Sequence, residues 1–172
     1  NQFETMALAG TQSYNGTTNV TWSQKEIEEQ QIVTDYIVSN LKYSVENLDV
    51  GKVETVKAGS LLHLKTKITG QLKDNNSKEI TSVLHPTPAV CGMPLKISKK
   101  FILENENYKR SFYTGFLGEL NLDDKSELYV NLRCMEIKNN KASIYIGGGI
   151  TKDSNPEKEW EETIAKAKVM KK

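Results

Sequence analysis

The chain reads as an α+β protein with mostly antiparallel strands, and three observations carry that reading. A segment near the N-terminus spaces its apolar residues at helical intervals. Two strand-like stretches follow it, separated by a single glycine turn. Three more strand-like stretches, divided by Asp-Asp and Asn-Asn turns, precede a closing helix.

In chain order, residues 12–21 are rich in turn formers and read as a loop. Trp22 to about Leu41 reads as a helix, with Ser23 and Glu26 at capping-box spacing and Val33, Tyr36, Ile37 and Leu41 on one stripe. Residues 52–57 and 60–72 read as strands joined at Ala58-Gly59, the second ending in an Asp74-Asn75-Asn76 turn. A short helix is expected near 78–84. His85-Pro86-Thr87-Pro88 must be irregular, because each proline restricts the residue before it. Pro94 is placed to open a helix to about Asn105, with Ile97, Phe101 and Ile102 inward. Strands are expected at 111–120, 126–137 and 142–150, and a last helix from Pro156, capped by Ser154 or Asn155, to about Met170.

The bulk numbers exclude more than they assign. At 172 residues one domain is expected, and 23 basic against 22 acidic residues leave no basic field for nucleic acid. No apolar run approaches the roughly 20 residues of a membrane span. Cys91 and Cys134 are too few for a disulfide framework, and no His/Cys spacing fits zinc, so a reduced, cytoplasmic setting is the default. The chain begins Asn-Gln-Phe with no signal-like stretch, which is compatible with a fragment.

A few residues stand out chemically. Glu29 lies four before Val33 and seven before Tyr36, on its helix's apolar stripe; it is either an edge residue reaching solvent or a carboxylate with a partner. Glu159, Glu162 and Lys166 fall at i, i+3, i+7 on the last helix, either as a solvated face with a weak Glu–Lys pair, or as a face from which Glu162 joins Glu29 in holding a hard cation. Arg133 reads as mid-strand, with Tyr129 and Asn131 on its face; it is either merely exposed or a carboxylate fork. Gly147-Gly148-Gly149 would let backbone N–H groups approach an anion. His63 lies on the opposite strand face from Leu62, Leu64 and Ile68, where a hydrogen-bonded structural role is the ordinary one.

In order, the segments Ala7-Leu-Ala-Gly-Thr11, Ser23-Gln-Lys-Glu-Ile-Glu-Glu29, His63-Leu64, His85-Pro-Thr-Pro-Ala-Val-Cys-Gly-Met-Pro94, Tyr113-Thr-Gly-Phe-Leu-Gly118, Leu132-Arg-Cys134, Gly147-Gly-Gly-Ile150 and Ser154-Asn-Pro-Glu-Lys-Glu-Trp-Glu-Glu-Thr163 resemble the chorismate-binding enzymes from end to end. Within that family the His-Pro-Thr-Pro-Ala-Val stretch and Ala9 are similar to the isochorismate synthase branch; salicylate synthase is the alternative enzyme, and a catalytically incomplete binding fragment the alternative of another class. Ser111, Glu119 and the residues from Gln12 onward depart from the family pattern.

The resemblance implies the C-terminal half of one large domain of two sheets packed face to face, with helices outside and the N-terminal half absent. It implies Mg2+ held by Glu29 and Glu162, with Glu159 as an outer-shell or water-mediated ligand, and chorismate as substrate. It further implies Gly10 and Thr11 lining the ring pocket with His63 beside it, and Tyr113 and Arg133 gripping a carboxylate. Gly147 and Lys166 would complete the anion site, and Tyr145 would pack on the substrate. The family's base (a Lys) and acid (a Glu) would lie upstream of Gly10, so these residues alone would be inactive. Whether the product feeds menaquinone or siderophore biosynthesis is left open.

Overall fold

A computed structural model of the chain describes residues 2–74, 77–168 and 170. They form two compact units, Asn1–Ala89 with Thr151–Asp153, and Val90–Ile150 with Ser154–Lys172.

The first unit is an antiparallel three-stranded sheet under helices. Strands β1 (Gln2–Ser13), β2 (Val45–Ala58) and β3 (Leu61–Leu72) lie in the order β1-β3-β2, so β3 is paired on both edges. Helix α1 (Gln24–Leu41) buries Val33, Ile37 and Leu41 against Ala7, Val45 and Ile68. Ile80 and Leu84 of α2 (Ser77–Leu84) pack on the rim of that core. Leu61, Leu62, His63 and Leu64 are all buried, so this stretch of β3 is covered on both faces. The capping box is only half realised. Ser23 occupies the cap position, but its hydroxyl goes to the Glu26 carboxylate and not to a backbone N–H. Asn75 and Asn76 of the expected turn, and Val169 of the last helix, lie outside the described residues.

The second unit contains α3 (Pro88–Cys91, whose first two residues precede it), α4 (Leu95–Asn105) and two hairpins. β4 (Phe116–Leu122) pairs with β5 (Lys125–Val130), and β6 (Cys134–Lys138) with β7 (Lys141–Tyr145). The closing helix is α5 (Pro156–Lys168).

Several expectations need correction. The strand over residues 2–13 was not anticipated, and the loop begins after Ser13. Residues 111–114 form a turn with left-handed Ser111 (φ 50°) and Thr114 (φ 63°), so the strand expected from 111 starts at Phe116. The strand expected over 126–137 is two strands: Arg133, at φ 49°, turns the chain out of extended geometry. The last strand stops at Tyr145, leaving the glycines beyond it. On α4, Ile97 and Phe101 are 68% and 64% exposed instead of inward, because no described residue lays a second layer over that side.

Candidate functional site

In the second unit the buried residues, among those described, are Cys91, Tyr113, Glu159 and Lys166. What this unit shields from water is thus mainly polar and aromatic, and buried polar groups persist only when paired. Pairing begins on α5, where Asn155 Oδ1 accepts the Lys158 N–H at 3.0 Å and Pro156 opens the helix. From there the 3.6-residue period brings Glu159, Glu162 and Lys166 to one side. The Lys166 ammonium donates to Glu162 Oε1 at 2.6 Å and to the Gly147 carbonyl at 3.1 Å.

The glycine segment is where these groups meet. A methyl on Gly148 would lie 3.4 Å from Glu162 Oε1, 3.6 Å from Glu159 Oε2 and 4.0 Å from Lys166 Nζ. One on Gly147 would come within 2.6 Å of the Tyr113 hydroxyl, inside van der Waals contact. The backbone therefore runs bare between a phenol and a cluster of two carboxylates and an ammonium. Tyr113 packs against Tyr145, with ring centroids 5.5 Å apart, and Arg110 approaches its ring at 5.7 Å. Burial, reinforced by Tyr108, pushes the Tyr113 phenol up to about 12, so at neutral pH it is a hydrogen-bond donor. Burial pulls the Arg133 guanidinium below its ordinary value and the Glu162 charge pushes it back up; it stays cationic at neutral pH.

The first unit holds the remaining candidates. Gly10 is left-handed (φ 71°) at a bulge between Ala9 and Gln12, and a methyl there would meet Glu26 Cβ and its carbonyl at 3.1 Å. His63 Nδ1 lies 3.0 Å from the Gly10 carbonyl and 3.3 Å from Thr11 Oγ1. A carbonyl only accepts, so Nδ1 carries the proton, and in the neutral ring Nε2 is the acceptor. The Glu29 side chain is 16% exposed with Lys25 Nζ 3.3 Å away, so it is a carboxylate with a partner.

Two residues escaped the sequence reading. Gln30, on the same stripe as Val33 and Ile37, is buried and bonds to Ala7, Ala9 and Thr66. Arg110 forks onto Glu106 at 2.5 and 2.7 Å and reaches the Val90 carbonyl, bracing the turn that carries Tyr113. The i,i+4 spacing of Glu106 and Arg110 was the available signal for the second.

The donor chemistry fits a hard divalent cation. Carboxylate oxygens of Glu159 and Glu162 converge over Gly148, and Mg2+ takes one or two protein carboxylates and completes its shell with water and substrate oxygens. No three His, Cys, Asp or Glu among the described residues form a ready-made cluster.

Isochorismate synthase DhbC of Bacillus subtilis is 34% identical over 151 residues, 86% of this chain and 38% of that protein. Isochorismate synthase MenF of Haemophilus influenzae is 34% identical over 95% of this chain and 40% of its own length. The solved structure of MenF, the menaquinone-specific isochorismate synthase from Escherichia coli, superposes with a TM-score of 0.87 at 30% identity. It covers 99% of this chain and 41% of its own. The chain thus spans about two-fifths of the length of the relatives it matches. The family model described as chorismate binding enzyme matches residues 1–172, and this chain belongs to that family.

Proposed function

We propose that this chain is the C-terminal part of an isochorismate synthase domain and carries its Mg2+- and carboxylate-binding groups. The observation that supports this most is the convergence of Glu159, Glu162 and Lys166 on Gly147-Gly148, with the Tyr113 hydroxyl against the same glycines. Glu29 and Glu162 are the proposed Mg2+ ligands, with Glu159 acting directly or through water. When bound, the metal supplies a Lewis-acidic point for a substrate carboxylate.

The remaining chemistry belongs to side chains of this chain. Arg133 presents a planar fork suited to two carboxylate oxygens, and the protonated Tyr113 phenol adds a neutral donor to the same group. Lys166, held between Glu162 and the Gly147 carbonyl, supplies a positive charge beside the glycine backbone. Gly10 and Thr11 line the ring pocket, and Tyr145, packed on Tyr113, offers a ring face to the substrate. His63, held through Nδ1 by the Gly10 carbonyl, lies beside that pocket. In the proposed reaction, water adds at one ring carbon of chorismate as the hydroxyl two carbons away departs. The base and acid for that step lie in a part of the protein N-terminal to these residues, so the 172-residue chain by itself is expected to form no isochorismate.

The test uses the full-length protein with Glu29→Gln and, separately, Glu162→Gln. Both are expected to abolish Mg2+-dependent turnover of chorismate while leaving the circular dichroism spectrum unchanged. Wild-type rates in both variants at low Mg2+ would remove these residues from the metal site.

A further inference from the structure

We infer that Gln30 is a positioning residue that sets the height of helix α1 against strand β1, and so fixes Glu29 relative to Gly10 and Thr11. The inference rests on the proposed roles of those three residues. The Gln30 side chain is 2% exposed, on the buried stripe of α1 that also carries Val33 and Ile37, where a leucine or methionine would avoid desolvating an amide. Instead its Oε1 accepts the Ala9 N–H at 2.9 Å, and its Nε2 donates to the Ala7 carbonyl at 3.1 Å and to Thr66 Oγ1 at 2.9 Å. Both ends of one amide thus close on the backbone of the edge strand, as a rung from a neighbouring strand would.

These bonds stop one residue short of the Gly10–Thr11 bulge. One turn earlier on the same helix, Glu26 faces Gly10 so closely that a methyl there would lie 3.1 Å from its Cβ and its carbonyl oxygen. Helix and strand are therefore pinned at two points a turn apart, with Glu29 between them. Sliding α1 by one residue moves it about 1.5 Å, enough to break both Gln30 bonds to β1 and carry the Glu29 carboxylate with it. Apolar packing tolerates such a slide far better than paired hydrogen bonds do. The amide supplies register where the rest of the stripe supplies adhesion.

The experiment compares Gln30→Met, Gln30→Glu and Val33→Ala with wild type in the full-length protein. Each is followed by thermal unfolding, by Mn2+ binding measured by electron paramagnetic resonance, and by chorismate kinetics. Gln30→Met keeps the volume and loses every bond; it is expected to weaken Mn2+ binding and kcat by about ten- to a hundredfold, the usual effect of losing an outer-shell support. Gln30→Glu keeps the acceptor for Ala9 but faces the Ala7 carbonyl with an oxygen, and should fall between wild type and Gln30→Met. Val33→Ala, one turn along the same stripe, is expected to unfold earlier yet bind Mn2+ like wild type. Mn2+ binding by Gln30→Met equal to wild type overturns the inference and leaves the proposed function standing. An equal loss in Val33→Ala also overturns it, since general packing would then do the positioning. A wild-type protein that binds no Mn2+ overturns both.

Discussion

Replacing Gly147 by alanine tests the site through a single methyl group. Gly147 has no left-handed backbone requirement, so the substitution acts only through space. The new Cβ would lie 2.6 Å from the Tyr113 hydroxyl, and relief of that contact requires the phenol oxygen to retreat by roughly 0.5–1 Å. Tyr145 on one side and Arg110 on another limit where the ring can go, so overpacking is expected to cost about 1–3 kcal/mol of stability. The retreat also breaks the proposed bond from the phenol to the substrate carboxylate. A hydrogen bond to a charged group is worth about 1.5–3 kcal/mol, or about ten- to a hundredfold in kcat/KM. Isochorismate formation by the full-length variant, coupled to isochorismatase, measures that loss. In a Tyr113→Phe background the oxygen is gone, and Gly147→Ala should add little further loss. Gly148→Ala, whose methyl meets its neighbours at 3.4 Å or more, should fold like wild type. A Gly147→Ala enzyme with unchanged kcat/KM, or full additivity with Tyr113→Phe, would refute the placement of the phenol on the substrate.

Two further outcomes follow from the same geometry. Arg133→Met should lower kcat/KM by about ten- to a hundredfold, and Arg133→Lys should recover little, because an ammonium cannot reproduce the planar fork; steady-state kinetics of the pair decide it. Tyr113, raised to about 12 in the folded state from an ordinary value near 10, favours folding fully below about pH 10 and loses that contribution as pH rises to about 12, because the unfolded chain ionises first. At about 1.4 kcal/mol per unit the loss is about 2–3 kcal/mol, and urea unfolding between pH 9 and 11.5 should show a shallower decline in Tyr113→Phe than in wild type.

The sequence disclosed what rests on periodicity and hid what rests on individual backbone angles. Helix α1 and the turn of the β2–β3 hairpin were legible because Val33, Ile37 and Leu41 keep helical spacing and Ala58-Gly59 separates two strand-like stretches, although β2 begins at Val45 and not at residue 52. Strand β1 was not, because its usual signal is inverted. The core side carries small Ala7, fully buried, while Met6 and Leu8 on the other side are 47% and 42% exposed. The left-handed turn at Arg133 leaves no mark on composition, since no glycine or asparagine stands there, and alternation therefore ran straight through it. The spacing of Glu159, Glu162 and Lys166 put them correctly on one side of α5, but only the fold brings the Gly147 carbonyl to Lys166.

The double pairing of β3 also has a kinetic side. Its amides, bonded to β1 along one edge and β2 along the other, are released only when the whole first unit opens, so they should be among its slowest to exchange with deuterium. The β4–β5 and β6–β7 hairpins are two-stranded and open by local fraying, at far lower free energy. His63 therefore rides on an element that stays closed for long periods, whereas Arg133, in the turn between the two hairpins, and Tyr145, at the end of β7, sit where the chain breathes. Substrate binding should leave exchange at His63 nearly unchanged and slow it around Arg133 and Tyr145, where there is motion to lose.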